Sequence, residues 1–305
     1  MKKRALLFAF VLAVAAVLLC SCGEKSDFTY EKNENGDVVI TGYTGENMNV
    51  VIPETIGDLA VVGIGEAAFD ATLIESVVIP ESVTSIGKYA FRRCGYMTSV
   101  VIKGDVKTIE AGTFNFCSEL KKIDLPDTVT TIGDNAFGMS ALTEMTLPDS
   151  VKTLGDMVFY NCHSLKRVDL GKGIEEIGGA CFSGCSGLTD VKVSDGRKAV
   201  GEMAFANCAI DGLMRPDGVT VLEEAVFAGC TFTEFTVSDG ITTIKRNAFS
   251  SCKTMEKIYI PDSVTEIELD AFSDCKGLTI CGVRDSEAEI FADTYGFKFA
   301  EHSFD

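Results

Sequence analysis

Cysteines recur along this chain at a fixed position, and thiols are the side chains here that are most able to do chemistry. The 305-residue sequence contains 12 cysteines. Eight of them lie three residues after a phenylalanine, at Cys94, Cys117, Cys162, Cys185, Cys208, Cys230, Cys252 and Cys275. Ser140 and Thr72 occupy the equivalent position after two other phenylalanines. Such a column could form disulfides, bind a metal or fill a narrow internal slot.

Packing is the favoured role for this column. Serine and threonine replace the cysteine twice, and a buried free thiol behaves as a small hydrophobic side chain. An oxidising compartment would permit disulfides, but we expect successive copies of the pattern to hold the α-carbons beyond the ~7 Å that a disulfide spans. His163 and His302 do not recur with the thiols at ligand spacing, which disfavours a metal. Cys181 and Cys281 lie outside the column. We therefore expect no metal and no cofactor.

Carboxylates form a second regular series. Each lies in the turn after a proline or its substitute, at Glu54, Glu81, Asp105, Asp127, Asp149, Asp195, Asp217, Asp239 and Asp262. Stacked carboxylates could collect Ca²⁺, which prefers oxygen ligands, whereas aspartate also suits turns because its side chain bonds to the nearby backbone. No second acidic residue follows at a fixed offset, so the sequence favours turns over a calcium site.

The rest of the composition argues against catalysis and against nucleic-acid binding. A hydrolytic triad needs a positioned histidine, and the two histidines of the chain are far apart in sequence. The Ile-Gly steps recur with the repeat, so they are not phosphate-binding loops. A formal net charge of -18, without a basic stripe, repels nucleic acid. The sequence predicts a protein that is not an enzyme.

The elements that must position these side chains repeat every 22 or 23 residues. The repeat is anchored by ten phenylalanines, at Phe69, Phe91, Phe114, Phe137, Phe159, Phe182, Phe205, Phe227, Phe249 and Phe272. Short alternating runs such as Ile258-Tyr259-Ile260 precede each anchor, and every one of the six prolines ends such a run. Alternation indicates a strand with one buried face, which proline terminates. A period in the twenties with one strand per unit indicates a solenoid.

The expected architecture is a stack of coils around one core. Strands ~4.8 Å apart would form a parallel sheet, with phenylalanine stacked on phenylalanine inside. The bulky phenylalanine side should bend the stack so that its strands lie on the inner surface. We expect helical or 3₁₀ turns around the phenylalanines and a second short strand at segments such as residues 83–86.

The N-terminal residues resemble a bacterial export signal. Three basic residues at 2–4 precede an uninterrupted apolar run over residues 5–19, which is short for a membrane span. Residues 19–23, Leu-Cys-Ser-Cys-Gly, resemble a lipoprotein processing site. That resemblance implies that Cys22 becomes the first mature residue and carries the lipid. Processing at Cys20 and an ordinary secretory signal are the alternatives.

Removal of residues 1–21 would leave 24 basic and 45 acidic residues, because three of the 27 basic ones are lost, and a formal charge of -21. Several buried acyl chains would hold such a protein firmly to a membrane at ~0.8 kcal/mol per methylene. No other segment of the sequence is a candidate membrane span.

The repeat itself resembles the BspA-like class of leucine-rich repeat proteins, also called the Treponema-type repeat. The class pattern runs L-x-x-L-x-L-P-x-x-L-x-x-I-x-x-x-A-F-x-x-C. It is matched in order by Leu120, Ile123, Leu125, Pro126, Val129, Ile132, Ala136 and Phe137. The likeness covers residues 48–283. It implies an exported or surface protein, and several members of the class are implicated in adhesion.

Both ends of the repeat carry segments that can cover it. Residues 28–47 predict a capping hairpin with an Asn-Gly turn at 35–36. Residues 284–305 predict a cap in which Ser286 and Glu289 match a helix capping box and Gly296 ends the helix, before a last strand at residues 297–299. The predicted organisation is a signal peptide (1–21), a tether (22–27), the hairpin (28–47), a leucine-rich repeat solenoid (48–283) and the C-terminal cap (284–305).

The outward strand positions form the surface on which a solenoid usually binds. We predict as binding candidates Lys122, Asp124, Glu144, Arg167, Asp169, Asp190, Lys192, Glu234, Lys257 and Tyr259. Their mixed charge and single aromatic favour a polar protein partner over an oligosaccharide, and a plain solvated strand surface is the alternative. Arg215 falls where the pattern expects an inward aliphatic, which indicates a local distortion or a functional interruption at 210–218.

Two functions fit these observations. The first is an adhesin-like module that binds another protein or a cell-surface ligand. The second is a non-catalytic scaffold lipoprotein of a cell-envelope complex. In both, the chain is expected to be a monomer that binds no nucleic acid and contacts the membrane only through its lipid.

Overall fold

The chain winds as a parallel β-solenoid, as predicted. The structure is a computed structural model, which describes residues 26–192, 199–210 and 218–304. One α-helix lies near the end of these ranges. The predicted residues Cys22, Asp195, Arg215 and Asp217 lie outside the described residues.

The strands are short and numerous. In chain order they are β1 (Phe28–Lys32), β2 (Val38–Tyr43), β3 (Asn49–Val51), β4 (Thr55–Ile56), β5 (Leu59–Ile64), β6 (Ser76–Ile79), β7 (Ser85–Ile86), β8 (Ser99–Ile102), β9 (Thr108–Ile109), β10 (Thr131–Ile132), β11 (Glu144–Thr146), β12 (Thr153–Leu154), β13 (Arg167–Asp169), β14 (Glu176–Ile177), β15 (Asp190–Lys192), β16 (Ala199–Val200), β17 (Val221–Leu222), β18 (Glu234–Thr236), β19 (Thr243–Ile244), β20 (Lys257–Ile260), β21 (Glu266–Ile267), β22 (Thr279–Gly282) and, after helix α1 (Glu287–Tyr295), β23 (Lys298–Glu301).

Most of the described coils contribute strands at two places. Strands before the proline position stack in parallel as β3-β6-β8, β11-β13-β15 and β18-β20-β22-β23. Two-residue strands ahead of the phenylalanines stack as β9-β10-β12-β14-β16 and β17-β19-β21, and β7 pairs with β5. The second short strand predicted near residues 83–86 is therefore present as β7.

One alternating run does not form a strand. Residues 121–126 carry no strand between β8 and β11, although Lys122 and Asp124 were predicted to lie on one. Ile123 is buried, but Leu125 is only partly buried, whereas the equivalent Leu147 of the next coil is 2% exposed. The equivalent Ile102 of the preceding coil is also only partly buried although β8 is a strand, so the burial of this side chain alone does not decide whether the strand forms.

The ten anchor phenylalanines form one internal column, which confirms the central prediction. Each ring is 0% or 1% exposed. Neighbouring rings are stacked, with centroids 5.0 to 6.0 Å apart and interplanar angles of 4° to 28°. The column runs through a single continuous cluster of buried apolar side chains, so every coil shares its core with both neighbours.

The chain around each phenylalanine forms hydrogen-bonded turns and not the helical or 3₁₀ turns that the sequence predicted. Asn135 and Met139, two residues before and after Phe137, have φ angles of 54° and 57°. The same two positions are left-handed around the other anchors. Bonds from residue i to i−3 therefore form only at alternate residues, as from Ala136 to Gly133 (3.2 Å). A 3₁₀ helix needs such bonds at successive residues.

The N–H groups between those turns bond to the next coil. Phe137 donates to the Val158 carbonyl at 2.9 Å and Met139 donates to the Tyr160 carbonyl at 2.7 Å. Equivalent bonds recur from coil to coil along the column. Adjacent backbones therefore lie at hydrogen-bonding distance on this side as well. The expectation that this side holds successive α-carbons too far apart for a disulfide is wrong.

The N-terminal hairpin covers the first coil, as predicted. Strands β1 and β2 pair antiparallel, and β2 continues into the solenoid through parallel pairing with β5. The Tyr43 ring stacks on Phe69 at 5.7 Å, and Phe28 lies 5.3 Å from Tyr43. The hairpin thus ends the phenylalanine column with aromatic rings of its own.

Helix α1 and β23 cover the last coil. Phe291 and Phe297 meet the Phe272 ring edge-on at 5.7 and 6.1 Å, and β23 pairs in parallel with β22. Gly296, with a φ of 75°, ends the helix, as its freedom at positive φ predicts.

The start of α1 differs from the predicted capping box. The Ser286 hydroxyl donates to the Val283 carbonyl at 2.6 Å and makes no cap bond. The Glu289 carboxylate accepts the Asp285 N–H at 2.6 Å, one residue earlier than a capping box requires. The Ser286 hydroxyl is used in the preceding turn. Only the Glu289 side chain therefore accepts a backbone N–H at the start of the helix.

Candidate interaction surface

The outward side chains of the strands before the proline position form two rows across the coils. In the central coils the first row is Glu144, Arg167 and Asp190, and the second is Thr146, Asp169 and Lys192. Members of a row are direct neighbours in register, because parallel strands repeat the same face at each coil. The strand face therefore presents straight lines of side chains from successive coils.

The predicted charged residues of these rows pair mainly with one another. Arg167 Nε donates to the Asp190 carboxylate at 2.8 Å, and Lys192 Nζ donates to Asp169 at 2.7 Å. The Lys192 hydrogen bond lowers the pKa of Asp169, and the same bond raises the pKa of Lys192. Such exposed pairs add little stability, so their main effect is to fix the charge pattern of the surface.

Two further predicted pairs lie along the same face. Lys257 Nζ lies 3.3 Å from Glu234, its neighbour in register, and this contact raises the pKa of Lys257. Lys122 Nζ lies 3.3 Å from Asp124 within one coil.

The Tyr259 side chain packs against the C-terminal cap. Its ring meets the His302 ring at 4.8 Å. Glu144 is exposed beside Arg167 in the first row.

Sequence reasoning missed an apolar part of the same face. Val51, Val78 and Val101 occupy the second row in β3, β6 and β8. Val51 is 68% exposed and Val101 is 43% exposed. The signal was available, because these valines hold the outward repeat position at which Asp124 was recognised.

The cysteine column is buried beside the phenylalanines. The Cys94 thiol donates to the Phe69 carbonyl of the preceding coil at 3.1 Å, and Cys185 donates to Phe159 at 3.0 Å. The described cysteines are free and buried. Burial raises the pKa of Cys94 to about 11. The column thus holds buried thiols that each bond to the neighbouring coil.

An acidic side chain outside the strand face binds two arginines. Asp70 accepts hydrogen bonds from Arg92 Nη2 at 2.7 Å and from Arg93 Nη2 at 2.6 Å. These bonds hold the pKa of Asp70 well below its ordinary value. Arg92 also lies over the Tyr89 ring at 4.7 Å. The sequence signal is the spacing of 22 and 23 residues between the partners, which equals one coil.

The acidic turn series lies on the surface. Its described members are all exposed, and the Asp149 carboxylate accepts the backbone N–H of Lys172 at 3.0 Å, a turn contact across coils. In the described part of the chain, no three His, Cys, Asp or Glu side chains converge as a metal site would require. Nor does any described helix have the length and hydropathy needed to cross a membrane.

The repeat model of one protein family matches most of the chain. The BspA type leucine rich repeat region matches in six copies, over residues 62–189, 107–232 and 154–279. These matches span more than half of the sequence, so the chain belongs to the BspA-type leucine-rich repeat family.

Solved structures share this architecture. A leucine-rich repeat protein of Treponema pallidum is 30% identical, with a TM-score of 0.58 over 60% of this chain and 86% of that chain. One from Bacteroides ovatus is 24% identical, with a TM-score of 0.66 over 92% of this chain and 90% of that chain. The pneumococcal vaccine antigen PcpA is 18% identical, with a TM-score of 0.58 over 91% of this chain and 83% of that chain. No curated protein matches the chain.

Proposed function

We propose that this protein is exported, is anchored by lipid at Cys22, and binds another protein or a cell-surface ligand through its strand face without catalysing a reaction. The observation that carries the proposal is the pair of outward side-chain rows, which present exposed charged groups in a fixed register across several coils. A repeat scaffold of this kind holds its surface rigidly, so a partner would meet a preformed pattern.

The family and its relatives support an extracellular role. Leucine-rich repeat proteins typically take part in protein interactions, and one structural relative is a pneumococcal vaccine antigen. The basic and apolar N-terminal segment with its Leu-Cys-Ser-Cys-Gly sequence supports export and lipidation. These features together fit an adhesin-like interaction module.

A scaffold role in an envelope complex is the second candidate. It is favoured by the internal pairing of Arg167 with Asp190 and of Lys192 with Asp169. Charges that satisfy one another are less available to a partner, so the central coils would then serve mainly as a spacer.

A charge swap on the strand face tests the binding function. The double variant Arg167→Asp with Asp190→Arg keeps the net charge and the ion pair but inverts the surface pattern. We expect the immobilised protein to lose retention of its partner from matrix or envelope extracts while its melting temperature is unchanged, because electrostatic complementarity sets specificity.

The matched control swaps an ion pair between coils away from this face, Glu223→Lys with Lys245→Glu. That variant should retain the partner. Equal retention by the strand-face swap and the wild type would contradict binding at the central strand face, and retention of nothing by the wild type would contradict the binding function itself.

A further inference from the structure

The N-terminal end of the strand face differs chemically from the rest. In β3, β6 and β8 the second row is Val51, Val78 and Val101, whereas the same row in the next coils begins with Asp124. The first row there is uncharged as well, with Asn49, Ser76 and Ser99, and the Ser76 hydroxyl bonds to Asn49 at 2.7 Å. We name the three-valine row the valine strip.

The valine strip ends at the outer edge of β3, where the Asn49 N–H donates to Asn47 Oδ1 at 2.9 Å and the Val51 backbone remains open. Strand β3 pairs only with β6 in the described structure. Ile52, the next residue, donates its N–H toward β6, to the Val78 carbonyl at 3.0 Å. Backbone groups alternate sides along a strand, so the N–H and C=O of Val51 point away from β6. A high exposure of 68% at Val51 shows that its side chain is uncovered.

Unpaired carboxylates border the valine strip. Glu54 and Glu81 lie three residues after Val51 and Val78, are exposed, and form no ion pair within the described residues. Asp105 follows Val101 by four residues, with Lys103 as the nearby basic residue. In contrast, the charges of the central rows are largely paired.

From these three features we propose that β3 binds an extended segment of a partner protein, which adds as a further parallel strand. Its outward side chains would be β-branched aliphatics that continue the valine strip, and a lysine or arginine at its end would meet Glu54 and Glu81. Main-chain bonds to Val51 supply affinity in this mode, and the alternate side chains supply selectivity. The inference rests on the proposed binding function and specifies the partner chemistry at one end of the same face.

A defined peptide tests the proposal without knowledge of the natural partner. The probe is a fluorescent Lys-Val-Thr-Val-Thr-Val-Lys peptide, and its binding to the whole protein is followed by anisotropy. The valines continue the strip when the threonine N–H groups face β3. We expect binding that weakens with salt, and loss of binding when the threonine amides are N-methylated. Unchanged affinity of the N-methylated peptide would overturn the proposal, as would no binding of the parent peptide.

Variants at Val51 separate backbone from side-chain effects. Val51→Pro removes the free N–H and is tolerated on an edge strand because that N–H makes no ladder bond. Val51→Thr keeps both the N–H and the β-branch. We expect Val51→Pro to weaken peptide binding about ten-fold or more, the size that one buried valine side chain or one strong bond would give, and Val51→Thr to change it little.

Leu269→Asp, which alters an exposed apolar residue far along the chain, should leave peptide binding unchanged. Equal affinity of Val51→Pro and the wild type would overturn the proposal. A concentration-dependent dimer in sedimentation that Val51→Pro abolishes would assign the edge to a second copy of the chain and would also overturn it. If the charge swap abolishes partner retention but the wild type does not bind the peptide, this inference alone is contradicted. The proposed function is then still supported.

Discussion

At the scale of single residues, the stability of this protein depends on side chains that recur once per coil. The phenylalanine rings, the thiols that bond to the preceding coil and the inward aliphatics all contact their counterparts in the adjacent coils. A substitution therefore acts on its own coil and on the two beside it, because a solenoid couples nearest neighbours.

Removal of one central ring is the most direct test of this coupling. Phe137 stacks between Phe114 and Phe159, at 5.6 Å from each. Phe137→Ala should lower the free energy of unfolding by about 3 to 5 kcal/mol because it leaves a cavity. Hydrogen exchange should show lost protection mainly in the three coils around it.

Phe116→Ala is the matched control, because Phe116 is 46% exposed and removal of a half-exposed ring leaves a smaller cavity, so it should cost clearly less than Phe137→Ala. Equal destabilisation by the two variants, or a loss of protection spread evenly over the chain, would contradict the nearest-neighbour account.

Asp70 makes a pH-dependent contribution to stability. Its pKa in the folded chain lies below the ordinary value of 3.8 because Arg92 and Arg93 bond to the carboxylate. The contribution is therefore fully present above the ordinary value and is lost as the pH falls through it toward the folded value. Asp70→Asn should cost about 1 kcal/mol near neutral pH, and this difference from the wild type should shrink below about pH 4.

The difference in unfolding free energy between the variant and the wild type is measured by denaturant unfolding between pH 3 and pH 7, at intervals of about one pH unit. Asp127→Asn, at an exposed carboxylate without an ion pair in the described chain, is the control. A difference for Asp70→Asn that stayed constant down to the lowest pH would show that the arginine pair does not stabilise the folded chain.

At the scale of elements, the sequence predicted the strands better than the turns. The strands are recognisable in the sequence because buried and exposed side chains alternate, as in β20, and because proline ends the alternating run. The turns around the phenylalanines have no comparable sequence pattern. Tyr89 and Met157 adopt positive φ values of 59° and 56°, although such residues rarely do. Bonds to the adjacent coils impose this conformation, and local sequence does not encode those bonds.

The Ile-Gly step is an element-scale feature whose reason became clear only in the structure. A Cβ atom placed on Gly133 would lie 2.8 Å from the backbone nitrogen of Ala111 in the preceding coil. The glycine therefore permits a close approach between coils. A sequence pattern can mark such a position by its recurrence, but the neighbouring atom that demands glycine lies 22 residues away.

The candidate surface was predictable only in part. Most of the predicted outward positions lie on strands and point out, since the two-residue period fixes which side chains do so, but Lys122 and Asp124 lie on no strand. That Arg167 would bind Asp190, and that Val51 would lie on a free edge, depends on which strands are neighbours. Charged residues at outward positions are recognisable in the sequence as surface residues. The valines of the valine strip are not, because valine is also typical of the buried face of a strand.

At the scale of the whole molecule, the coil is a removable unit. Ile132 and Leu154 are partners in register, 22 residues apart. Deletion of residues 133–154 would join Ile132 to Gly155 and leave the stacking pattern intact. We expect a folded protein that is one coil shorter, with reduced stability, because repeat proteins lose one intrinsic unit and one interface.

Circular dichroism and small-angle scattering would measure the retained β-structure and the shortened length. The control is a half-coil deletion, residues 133–143, which puts inward side chains outside and should prevent folding. If both deletions behave alike, the coil is not the folding unit.

The hydrogen bonds of the phenylalanine turns have an electrical consequence. The N–H groups of Phe69, Phe137 and Phe227, like those beside them, point toward the following coil, and the accepting carbonyls point back. Aligned peptide dipoles add along an axis, as they do in an α-helix. This side of the solenoid therefore carries a permanent polarity, negative toward the hairpin and positive toward the C-terminal cap, where Glu287, Glu289 and Asp293 bring anionic charge to the positive end.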